Sequence, residues 1–359
     1  MRRLAPCVIG CLFLFWLIIG PSFVYAVPTA GDREILYQAY AASKVWGRTP
    51  TAEEAEVLRR AAALADPNDV VEVSQAEIRQ LLVNPPSVPM DAIMRNDDNS
   101  FVCKLYRNRV NGNYYLAFRG LDINGNALQN VQDALNIMAD VPVVPARLAI
   151  LCSYILTTSM PGKNITLVGA SLGGGLAGLG AMATNSKATL FNSIGFSKDT
   201  VRKAIAEFRK AMPTLNDSQY LPMVRSLENA SNSSTAAQNI RLVNTRYDFL
   251  TRYLEVNKFT TAQGSYFRFS NGNSSHGMAC SVDSQMTTRD QELLDFAFNS
   301  LPRILEYLGD EEASPVHKMI ILNATRGLTL KLADSKCIQY SVTAHSVTEI
   351  IRGLTETMR

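Results

Sequence analysis

The 359-residue chain reads as an α/β protein, a mostly parallel sheet flanked by helices. Two observations predict this. From residue 164 onward, short apolar runs alternate with helical patterns, the signature of parallel strands joined by crossover helices. At one junction a serine is boxed by small residues, Gly169-Ala-Ser-Leu-Gly173, between the run Asn164-Ile-Thr-Leu-Val and a glycine- and alanine-rich helical stretch. A strand that turns sharply into a helix at G-x-S-x-G thrusts its serine out at the sheet's edge. A side chain two residues before or after that serine would collide with neighbouring backbone, so glycine is required at both places.

The elements follow in order. Residues 31–85 carry helical patterns, with Thr51/Glu54 and Ser74/Glu77 forming capping-box pairs, and are expected to form a peripheral helical region. Asn84-Pro-Pro-Ser-Val-Pro89 breaks the last of these helices. Residues 101–108 and 113–120 alternate around Asn111-Gly112, a favoured two-residue hairpin turn. A polar loop at 122–126 precedes helical patterns near 127–139 and 145–158. The core then runs strand 164–169, helix 172–184, strand 187–194, helix 199–211 and strand 239–246. The segment 213–238 is a polar insertion around an apolar stretch from Tyr220 to Leu227, and is either a lid or a plain surface loop. Two more helical patterns, a strand-like 317–322 and a terminal helix after His345 complete the chain.

Composition is that of a globular protein, 47% hydrophobic and 19% charged, with a formal charge of +3 that falls to +1 without Arg2 and Arg3. Such a balance points away from nucleic acid as a partner. Arg2 and Arg3, an apolar Cys7–Ile19 run, Pro21 and Val24-Tyr-Ala26 match a cleaved secretory leader over 1–26. An uncleaved anchor is the alternative. The expected mature protein is therefore secreted or periplasmic, with a helical region over 27–100 packed on a main domain over 101–359. Export leaves Cys103, Cys152, Cys280 and Cys337, which permit two disulfides in three pairings or four buried thiols. The sequons at Asn216, Asn229 and Asn232 signify glycosylation only in a eukaryotic secretory pathway.

Three blocks resemble the class 3 lipases and their bacterial relatives within the α/β-hydrolase superfamily. They are Phe101–Asn108 with Tyr114-Tyr-Leu-Ala-Phe-Arg-Gly120, the elbow with Ala188-Thr-Leu-Phe-Asn192, and Arg241-Leu-Val-Asn-Thr-Arg-Tyr-Asp248 with His276-Gly-Met beyond it. The chain departs from the family at Ala170, where His is common, and at Leu121, where Ser or Thr is common. The resemblance implies an α/β-hydrolase fold and a lipase- or phospholipase-type ester hydrolase. Its partners would be a lipid or other ester and, transiently, a membrane surface.

A serine hydroxyl needs a base to take its proton, and the base needs a carboxylate to fix its tautomer. Ser171 is the nucleophile. Asp248, at a strand end between Ser171 and the downstream histidines, is the preferred acid, with Asp199 as competitor. His276, in a small-residue loop after a strand-like run, is the preferred base, and His345 and His317 are the alternatives. Backbone N–H groups of Leu172 and Leu121 are the expected oxyanion donors. No metal or cofactor is expected, since the three histidines are scattered and no phosphate-binding glycine loop occurs. A peptidase, thioesterase, acyltransferase or catalytically silent binding protein on the same scaffold are the rival functions.

Overall fold

A computed structural model of the chain describes residues 28–83, 90–97, 101–121, 127–138, 140–211, 217–245, 248, 263–268, 287–288 and 345–359. The leader segment 1–26, His276, His317, Cys280 and Cys337 lie outside these residues.

Capping chemistry starts the N-terminal helices. Thr29 and Asp32 cap α1 (Ala30–Lys44) reciprocally, and Thr51 with Glu54 does the same for α2 (Ala52–Ala61). A short strand β1 (Val70–Glu72) follows, and then α3 (Gln75–Leu81), capped by Ser74 and Glu77 as expected. Beyond α4 (Met90–Met94) and β2 (Arg95–Asn96) come β3 (Phe101–Asn108) and β4 (Tyr114–Phe118). Their antiparallel register pairs Cys103 with Phe118 and Arg107 with Tyr114. The turn between them is wider than the two-residue form expected. Asn108 N–H donates to the Asn113 carbonyl at 2.8 Å, and the Asn108 side-chain oxygen accepts from Val110 N–H at 2.8 Å. Gly112 takes φ +74° there, a conformation that suits glycine.

The remaining elements alternate. They are α5 (Ala127–Met138), α6 (Val144–Ser159), β5 (Ile165–Ala170), α7 (Leu172–Thr184), β6 (Lys187–Phe191), α8 (Lys198–Ala211), α9 (Asp217–Ser231), β7 (Ile240–Val243), β8 (Ser265–Tyr266) and α10 (Val347–Thr357). The sheet order is β1-β3-β4-β5-β6-β7-β8, with β2 paired to β3; β4 through β8 are parallel and the β1 side is antiparallel.

Alternation along each strand gives two cores, one on each face of the sheet. Leu105, Leu116, Phe118, Leu167, Leu190 and Leu242 pack with residues of α3 to α9. Tyr106, Tyr115, Ala117, Val168, Phe191 and Val243 pack with α1, α2 and α10.

One expectation is corrected here. The N-terminal region is not peripheral: α1 buries Ile35, Leu36, Ala39 and Tyr40 completely against the sheet, and β1 extends that sheet. The apolar stretch of the candidate lid forms part of α9, where Met223, Val224 and Leu227 are committed to the core beside α7 and α8.

Helix α10 meets α1 and α2. Ile350, Ile351 and Leu354 of α10 are buried among α1 and α2 residues. Arg352 bridges Glu53 of α2 at 2.8 Å and Glu349 at 3.0 Å, and Thr348 donates to Glu54 at 3.3 Å. Leu354→Ala should destabilise the protein by about 2–5 kcal/mol, because the wholly buried side chain leaves a cavity between helices distant in sequence. Denaturant unfolding measures this, and a cost below about 0.5 kcal/mol would mean that the α10 contact contributes little.

Candidate active site

β5 is buried along its length and stops at Ala170. Ser171 then takes φ 56° and ψ −127°, backbone that costs a residue with a side chain roughly 1–3 kcal/mol. Neighbours keep it there. Ser171 N–H donates to the Phe191 carbonyl of β6 at 3.1 Å, and its own carbonyl accepts from Ile194 and Gly175, each at 3.2 Å. Although Ser171 occupies the cap position of α7, its hydroxyl makes no capping hydrogen bond. The side chain stays half-exposed at the carboxyl edge of the parallel strands.

The glycines either side have the steric duty the sequence assigns them. A Cβ at Gly169 would lie 2.1 Å from the Gly173 carbonyl oxygen, and one at Gly173 would lie 2.2 Å from that of Phe118. The start of α7 is therefore pressed onto the end of β4, beside the loop expected to supply an oxyanion donor. Leu172 opens α7, where backbone N–H groups have no partner within the helix. Gly120 packs on the elbow itself: a Cβ there would sit 2.8 Å from the Ala170 oxygen and 3.7 Å from the Ser171 Cβ. Leu121, half-buried, follows directly. The Trp46 ring closes on the same point, 3.1 Å from the Gly120 Cβ position. Sequence reading gave Trp46 no part, since nothing local ties the end of α1 to residue 120.

Asp248 lies beyond β7, wholly buried, with its N–H donating to the Thr245 carbonyl at 3.4 Å. The loop start is fastened to β6 by side-chain amides. Asn192 accepts from Thr245 N–H at 2.9 Å, while Asn244 accepts from Asn192 N–H at 3.1 Å. Asn192 itself adopts φ 42°, which asparagine tolerates better than most residues. The Asp248 carboxylate receives a hydrogen bond from Nδ1 of His345, which stands just before Ser346, the cap of α10. An ionised carboxylate only accepts, so Nδ1 carries the proton and Nε2 is left as the acceptor. His345 is 18% exposed against 0% for Asp248, an imidazole at the rim of a buried acid.

Of the residues read from sequence, Ser171, Leu172, Leu121 and Asp248 all border the carboxyl ends of β4 to β7. His276 lies outside the described residues. Asp199 is elsewhere, ion-paired with Arg202 on the exposed first turn of α8.

Gly173→Ala tests the elbow's tight packing. The added methyl meets the Phe118 and Arg119 backbone and should cost about 1–3 kcal/mol. Reactivity of Ser171 toward a fluorophosphonate should fall further than that loss of stability explains, because β4 and the Leu121 loop are displaced together. Unchanged labelling of the folded variant would show that this contact does not set the serine.

A family model described as a Tle-like phospholipase domain, of the phospholipase-like kind, matches residues 38–237, more than half of the chain. No curated protein matches it. The matched span includes the elbow, the strand leading to Leu121 and the second half of helix α1, and stops just before the strand that leads to Asp248. The chain belongs to the Tle-like phospholipase domain family.

Proposed function

We propose that the protein is an exported serine hydrolase that cleaves the carboxylic esters of phospholipids. In this reading Ser171 is the nucleophile, His345 the base and Asp248 the acid, on an α/β-hydrolase fold like that of the class 3 lipases. The observation that carries it is the Asp248–His345 hydrogen bond at the same sheet edge as the elbow serine. Family membership supports the lipid substrate. The leader-like residues 2–26 support export.

Ser171 Oγ attacks the ester carbonyl as His345 Nε2 takes its proton. Asp248 orients the ring and stabilises the imidazolium. The tetrahedral oxyanion receives hydrogen bonds from the Leu172 and Leu121 N–H groups, donors fixed before the reaction begins. The imidazolium then protonates the departing alcohol, a lysophospholipid when the substrate is a diacyl lipid. Water, activated by the same imidazole, hydrolyses the acyl-enzyme.

Product analysis on phosphatidylglycerol and phosphatidylethanolamine vesicles tests the bond cleaved. Free fatty acid and lysophospholipid are expected; release of the phosphorylated headgroup would contradict ester chemistry. Ser171→Ala should lower turnover by at least ~10³-fold. His345→Ala should abolish fluorophosphonate labelling while His276→Ala retains it. The opposite pattern would return the base to His276.

A further inference from the structure

Cys103 on β3 and Cys152 on α6 face one another in the core, their sulfurs 3.2 Å apart as free thiols and their exposures 2% and 0%. Two sulfurs inside van der Waals contact, with no atom between them, need only small side-chain rotations to reach the bonded separation of about 2.05 Å. We propose that in the exported protein Cys103 and Cys152 are joined as a disulfide that ties the sheet to helix α6. The proposal rests on the export part of the reading above, since oxidising compartments are where such bonds persist. It selects one of the pairings that sequence leaves open, and consigns Cys280 and Cys337 to each other or to thiols.

The bond needs an external disulfide, either a small-molecule one or that of a thiol-oxidising protein. One cysteine, as thiolate, attacks it and expels the first external thiol, giving a mixed disulfide. The second cysteine, also as thiolate, attacks the protein sulfur of that intermediate and expels the other external thiol. In sum two protein thiols give up two electrons and two protons, and the external disulfide becomes two thiols.

Timing follows from burial. Burial pushes the Cys103 thiol well above its ordinary range, and the adjacent Cys152 thiol adds to this. The folded interior therefore holds little thiolate, the attacking form, so the bond forms while the segment is still open. The 49-residue separation encloses β4, Gly120, Leu121 and α5. Closing that loop restricts the unfolded chain around the segment that would carry an oxyanion donor. A melting temperature higher by roughly 5 °C in the oxidised protein is the expected scale.

The test is peptide mapping of full-length protein recovered from the exported fraction. Thiols are trapped with N-ethylmaleimide in acid denaturant, and digestion is carried out without reduction. A Cys103–Cys152 cross-linked peptide is expected. Alkylation of both cysteines, or a cross-link from either to Cys280 or Cys337, overturns the proposal. A parallel arm refolds reduced full-length protein in a glutathione redox buffer and maps it in the same way. Thiols in the exported protein with the bond in the refolded protein place the fault in the export reading. Absence of the bond in both places it in the geometry.

Discussion

An imidazole serves a serine at a strand edge only when its ring is held in one tautomer and one direction, and a buried carboxylate is what does so. Asp248 is fully buried, and its hydrogen bond to His345 spans 97 residues of sequence. That contact exists only because α10 lies where it does. Its apolar face is buried with α1 and α2, and Arg352 and Thr348 join it to α2. Helices α1 and α2 thus form the seat for the helix that directly follows the proposed base. The region that reads as peripheral in sequence is structurally upstream of the chemistry.

Ser171, the proposed nucleophile, depends on a different constraint, close approach of backbone. Gly169 and Gly173 let the start of α7 rest on the ends of β5 and β4, and Gly120 rests on Ala170 in turn. The ends of β4 and β5, the start of α7 and Gly120 are therefore in close backbone contact around the elbow. The family match covers this assembly and ends at residue 237, whereas the proposed acid and base come from the segments beyond it.

Much of this was legible in sequence for local reasons. The period-2 and period-3.6 patterns gave the strands and helices of the central sheet to within a few residues, and α7 at its observed limits. Capping boxes at Thr51 and Ser74 were readable because both partners lie within one turn. What was hidden was tertiary. A three-residue strand such as Val70–Glu72 is too short to show alternation. The apolar stretch in α9 has the same composition whether it covers a site or fills a core, and only its packing against α7 and α8 decides. Chain order allowed any of the three histidines, since all lie downstream of Asp248. Loop placement favoured His276; the side chain paired with Asp248 is that of His345.

The central claim is that the terminal helix delivers the base to Ser171. A crystal structure of the protein after inactivation by a fluorophosphonate lipid analogue tests it most directly. The account predicts phosphorus bonded to Ser171 Oγ, with His345 Nε2 within hydrogen-bonding distance of that oxygen and Nδ1 on Asp248. A phosphonyl group on another residue, or His276 in place of His345 beside the adduct, would contradict it.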